Sequence, residues 1–107
     1  MRGDYYSVSG GWYNTASSQY SSVSGGRLNT ASNTASSVSG GFHNAASSIY
    51  TSISGGYYNT ASGSYSSVSG GSYNIASGNY SSVLGGGGDA AEEGNEAWAH
   101  YSVVVGG

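Results

Sequence analysis

Val8, Val23, Val38, Ile53, Val68 and Val83 stand fifteen residues apart, with Ala16, Ala31, Ala46, Ala61 and Ala76 between them. Each Ala follows one of these aliphatic residues by eight positions and precedes the next by seven. Nearly everything else is Ser, Gly, Asn, Thr or Tyr. Within each half repeat, Ser-x-Val-x-Gly and Asn-x-Ala-x-Gly (the last Gly often Ser or Asn), one set of positions recurs with a period of two. That is the period of a strand. A helix would need a second apolar position at heptad-type spacing, and Gly and Ser at this density disfavour one.

The two half repeats predict two short strands per coil of a parallel β-solenoid, an all-β fold with fifteen-residue coils. In the repeat starting at Tyr65, Ser66, Val68, Gly70, Asn74, Ala76 and Gly78 are expected to face inward. Ser67, Ser69, Ile75 and Ser77 then face outward. The inward set is small enough for two strands to press together over a thin core. The Gly pairs, from Gly10–Gly11 to Gly85–Gly86, and the Asn residues at 14, 29, 44, 59 and 74 are expected to supply the corners with φ > 0. About seven coils are expected, which at the strand spacing make a rod roughly 33 Å long.

Composition changes the picture by what it removes. Twenty glycines and 7% charged residues in 107 would suit a flexible linker, but eleven Tyr and two Trp do not. A net charge of −3 with two basic residues argues against nucleic acid, which needs clustered Lys and Arg. The chain has no Cys, so neither disulfides nor thiolate metal sites are expected. No apolar run approaches a membrane span, and "MRGDYYSVSG" lacks the apolar core of a signal peptide. Starting and stopping inside a repeat suits a piece of a longer chain.

Candidate chemistry sits where the repeat varies. The corner after each Gly pair reads Trp12-Tyr13, Arg27-Leu28, Phe42-His43, Tyr57-Tyr58 and Ser72-Tyr73. Stacked coils place these pairs in a column, either packing or assembling the rod or presenting a ligand surface for a glycan or protein. The Tyr positions 5, 20, 50, 65, 80 and 101, with Ala35 as the exception, predict a structural ladder. Thr15/Ser17, Thr30/Ser32 and Thr60/Ser62 form partial hydroxyl rows of the kind seen on ice-binding solenoids, broken by Ala45 and Ile75.

The Arg-Gly-Asp triplet at Arg2–Asp4 falls in register as an ordinary corner, and a tripeptide is a weak signal. Residues 87–94 read as a corner-loop insertion within a single domain spanning 1–107, with Asn95-Glu96-Ala97 taking the place of Asn-Thr-Ala. Asp89, Glu92, Glu93 and Glu96 cluster there, but their spacing matches no calcium loop, so a solvated loop and no metal are expected. His43 and His100 lie almost four coils apart with no carboxylate in phase with His43. No catalytic set is expected, and no cofactor.

The stretches "NTASGSYSSVSGG" (59–71) and "NIASGNYSSVLGG" (74–86) resemble the head repeats of YadA-like trimeric autotransporter adhesins. The resemblance runs over essentially the whole chain. It implies a left-handed parallel β-roll, an extracellular or cell-surface location, adhesion to host matrix or surfaces, and self-association as trimers. In that family the strand typically reads Ser-Val-Ala-Ile-Gly, with apolar residues outward against sister chains. Here the outward positions are Ser22, Ser24, Ser37, Ser39, Ser67 and Ser69, and a Ser face drives little apolar association. Leu84, Val103 and Val105 are therefore the oligomer-contact candidates. A displaying rod leads, with a head-to-tail filament subunit and an ice- or glycan-binding solenoid as alternatives.

Overall fold

The structure, a computed structural model, describes residues 6–89 and 94–106. Among the described residues, thirteen two-residue strands form two parallel sheets and alternate between them along the chain. The first sheet holds β1 (Ser7–Val8), β3 (Ser22–Val23), β5 (Ser37–Val38), β7 (Ser52–Ile53), β9 (Ser67–Val68), β11 (Ser82–Val83) and β13 (Val103–Val104). The second holds β2 (Thr15–Ala16), β4 (Thr30–Ala31), β6 (Ala45–Ala46), β8 (Thr60–Ala61), β10 (Ile75–Ala76) and β12 (Glu96–Ala97). Val pairs with Val and Ala with Ala through the stack, as in Val23↔Val38 and Ala61↔Ala76. This is the expected parallel β-solenoid.

The turn count is lower than expected: about five regular turns, not seven. Strand number overstates it, because the seven strands of the first sheet bound five fifteen-residue turns, Val8 to Val83, plus a longer closing one. In that closing turn Asn95 follows Asn74 by 21 residues. The register is nevertheless kept, with Ile75↔Glu96 and Ala76↔Ala97 paired as the sequence suggested. The chain measures 41 × 27 × 15 Å.

The core is one aliphatic row facing one Ala row. Val23, Val38, Ile53, Val68 and Val83 pack with Ala31, Ala46, Ala61, Ala76 and Ala97, all essentially shielded from water. A buried Val contributes roughly 1.5–3 kcal/mol, little for fifteen ordered residues. Polar ladders therefore carry much of the cohesion. The Asn29, Asn44, Asn59 and Asn74 side chains are buried. Each Nδ2 donates to the carbonyl of the first Gly of its own pair, four residues back, and to that of the second Gly of the next turn's pair, as Asn59 does to Gly55 at 3.1 Å and Gly71 at 2.9 Å. Each Oδ1 accepts the next Asn backbone N–H. At the opposite edge Ser21, Ser36, Thr51, Ser66 and Ser81 are buried and donate back to the carbonyl three residues earlier. Among the described residues no buried side-chain nitrogen or oxygen lacks a partner.

The corners correct one expectation. Asn does not supply positive φ; it points inward and closes hydrogen bonds. Positive φ falls on the second Gly of each pair, on the second variable corner residue, and on the Tyr-ladder position. The last two are mostly bulky: Tyr13, Leu28, His43, Tyr58 and Tyr73 at φ 54–57°, and Tyr20, Tyr50, Tyr65, Tyr80 and Tyr101 at 55–62°. Each such residue costs about 1–2 kcal/mol. Backbone hydrogen bonds between turns hold them there, as Leu28 N–H to Trp12 C=O and Tyr65 N–H to Ile49 C=O do.

Candidate functional site

The variable corner is a third, one-residue ladder of the solenoid. Trp12, Arg27, Phe42, Tyr57, Ser72 and Gly87 form successive parallel bridges. The backbone N–H of each of the first five donates to a Gly carbonyl one turn on, as Trp12 does to Gly26 at 2.9 Å. The neighbouring residue then takes the left-handed conformation and its N–H returns to the previous turn, as Tyr58 does to Phe42 C=O at 2.9 Å. That reversal leaves both corner side chains outside while the following Asn enters the core. The backbone thus fixes two adjacent columns of side chains, one pair per turn.

All nine candidate residues fall in these columns. In the first, the Arg27 guanidinium lies 4.4 Å from the Trp12 ring centroid and 5.5 Å from that of Phe42, a cation held between two aromatic faces. Phe42 then stacks on Tyr57 at 5.2 Å with planes 15° apart. In the second column Tyr13 and Leu28 come first. His43 stacks on Tyr58 at 4.4 Å, and Tyr58 on Tyr73 at 5.2 Å. The columns meet edge to face: Tyr58 against Phe42 and Tyr73 against Tyr57. Partial desolvation, with Tyr57 and Tyr58 alongside, raises the Tyr73 hydroxyl above the ordinary tyrosine value.

Stacking has a chemical consequence. Rings stacked face to face show solvent their edges and hydroxyls, whereas a sugar platform needs an open ring face. The same holds on the opposite edge, where Tyr50, Tyr65, Tyr80 and Tyr101 stack at 4.8–5.1 Å within 7° of parallel. A ring face opens only where a column is interrupted. Among the described residues there is no enclosed pocket.

The oligomer candidates lie together at one end of the rod. β13 closes the first sheet, and Leu84, Val103 and Val105 all point outward and are more than half exposed. Leu84 and Val105 replace the Ser row that earlier turns present at Ser24, Ser39, Ser54 and Ser69, and Val103 the adjoining row of Ser22, Ser37, Ser52, Ser67 and Ser82. The sequence reading missed Trp98, which is 74% exposed on the outer side of the second sheet, in the row that Ser62 and Ser77 occupy in earlier turns. Its position directly after the inward Ala97 was the available signal. Thr15, Thr30 and Thr60 share one outward row with Ala45, Ile75 and Glu96 between and after them. The Arg2–Asp4 triplet and the acidic pair Glu92–Glu93 lie outside the described residues. Among those described, no group of His, Asp or Glu is placed to hold a metal.

Fold and surface together define a class: a parallel β-solenoid repeat protein with ladder-stacked edges. No protein-family model and no curated protein sequence matches the chain.

Proposed function

We propose that the chain is a non-catalytic structural rod at a cell surface, a segment of an adhesin of the YadA-like head type, displaying its variable corner to a partner. The observation that carries this reading is how strongly the corner ladder varies against a constant frame. Core, Gly pair, Asn and, but for Ala35, the Tyr ladder repeat turn after turn, while the ladder of Trp12, Arg27, Phe42, Tyr57 and Ser72 changes at every step. A scaffold that holds its backbone constant while an exposed corner row changes at every turn suits recognition by display. The test is retention of the chain on matrix- or glycan-coated surfaces. Tyr57→Ser with Tyr58→Ser should reduce retention, while Ser37→Ala with Ser39→Ala on the Ser face should not. Equal retention of both variants would remove the corner from the function.

A second reading, self-association, draws on the exposed aliphatic group of Leu84, Val103 and Val105. It places homo-oligomer contact at that end of the rod and leaves the Ser face of the preceding turns to water.

A further inference from the structure

The first corner column carries a break that its own neighbours interpret. Phe42 has a ring stacked on it from the next turn, Tyr57, and a second ring, Tyr58, set edge-on at 5.6 Å. Tyr57 has the matching edge-on ring, Tyr73 at 5.7 Å, yet its stacking place belongs to Ser72. Ser72 has no ring, and its hydroxyl is turned away to donate to Gly88 C=O at 2.6 Å. The next member of the ladder is Gly87, with no side chain at all. Among the described residues no ring therefore covers this face of Tyr57, which Tyr73 walls on one side; Tyr57 is 44% exposed.

Three turns earlier the same column shows what such a face accepts. Arg27 occupies the step over Trp12, its guanidinium 4.4 Å from that ring's centroid and 5.5 Å from that of Phe42. The chain is acidic overall, and Asp89 follows the Gly87–Gly88 step closely enough to bear on the Tyr73 hydroxyl. A neutral sugar would gain hydrogen bonds but no charge attraction from that carboxylate, and an anion would be repelled. A planar cation gains from both ring and charge.

The geometry points to the open step formed by Tyr57, Ser72, Tyr73 and Gly87 as a receptor for the guanidinium of an arginine side chain of a partner protein, filling the place one ring leaves vacant. This rests on the corner being a display surface, but the two fail separately. An unresponsive step leaves the Trp12 to Phe42 part of the column available for display, whereas loss of retention by the whole corner would not by itself touch arginine binding.

The test uses the intact chain and N-acetyl-arginine amide as probe, followed by the NMR signals of the Tyr57 and Tyr73 rings. A saturable response in the millimolar range is expected, with the neutral N-acetyl-citrulline amide several-fold weaker. Ser72→Phe, which continues the stack, should abolish the response; unchanged amide signals along the Asn ladder will report that the fold is intact. If that variant does not fold, Tyr57→Leu removes the ring face instead and should also abolish it. Absence of a saturable response, an equal response to citrulline, or a response that survives both substitutions would overturn the assignment.

Discussion

The backbone N–H of Asn59 donates to the side-chain Oδ1 of Asn44, fifteen residues earlier, at 2.9 Å inside the solenoid. The Asn44 Nδ2 meanwhile spans the Gly40 and Gly56 carbonyls, both at 3.0 Å. One side chain thus clamps its own turn and the next, its amide donating twice and accepting once.

Asn59→Ala should therefore be among the most damaging single changes. It leaves the Gly55 carbonyl and the Asn74 N–H without their partner and takes one of two donors from the Gly71 carbonyl, which keeps the Tyr57 N–H. At roughly 1–3 kcal/mol for each buried group left unpaired, a loss of about 3 kcal/mol or more is expected in denaturant unfolding. Asn59→Asp keeps the shape but points a carboxylate at two carbonyls, which raises the carboxyl's folded pKa above its unfolded value. Its stability should be best at acidic pH and fall as pH rises through that raised value. Equal stability of Asn59→Asp at acidic and neutral pH would contradict the clamp.

The two glycines of each pair are predicted to behave oppositely. A Cβ on Gly70 meets nothing within 4 Å, whereas one on Gly71 collides with the Gly86 carbonyl and comes within 2.6 Å of the Asn74 Nδ2. Gly71 also holds φ at +85°, where side chains are strained. Gly70→Ala should change stability by no more than about 0.5 kcal/mol, and Gly71→Ala should cost about 2 kcal/mol or more. Thermal unfolding of the two variants side by side checks this.

Much of this architecture was legible because a single period fixes everything in phase with it. Once Val23 and Val38 are fifteen residues apart, pairing, inward face and the place of Asn95 after the insertion follow. The left-handed positions were not legible. Tyr20, Leu28 and Tyr65 carry none of the small or amide side chains that favour positive φ, and inter-turn hydrogen bonds override their preference. Asn was misassigned to the corner for the mirror-image reason: its general tolerance of that conformation hid its role as a buried clamp. Likewise the column of corner residues could be placed from spacing, but its closed ring faces and the break over Tyr57 depend on side-chain orientation.

The interrupted Tyr ladder offers a stabilising test. Ala35 sits in the ladder at φ 55°, with its N–H bonded to Gln19 C=O as Tyr50's is to Thr34 C=O. The backbone there is already that of a Tyr position. Ala35→Tyr should insert a ring between Tyr20 and Tyr50 and gain about 0.5–1.5 kcal/mol per stacked pair, less the entropy of ordering it. Tyr65→Ala should lose a comparable amount, since its ring contacts Tyr50 at 5.0 Å and Tyr80 at 4.8 Å. A rise in melting temperature for the first and a fall for the second are expected; a fall for both would mean the strain outweighs the stack.

The aliphatic group at the last turn gives the prediction for assembly. Leu84, Val103 and Val105 lie outward on adjoining strands of a face that is Ser in the preceding turns, and Leu84 N–H is bonded to Val104 C=O at 2.9 Å, which fixes their register. Burying such side chains between copies contributes roughly 1.5–3 kcal/mol each when complete, while the Ser rows contribute almost no apolar term. Leu84→Ser with Val103→Ser should thus shift any oligomer towards monomer by a large factor in light scattering across a concentration series. Ser67→Ala with Ser69→Ala should leave the distribution as it was. A trimer that persists in the first variant and dissociates in the second would place the contact on the Ser ladders, through hydroxyl hydrogen bonds rather than apolar burial.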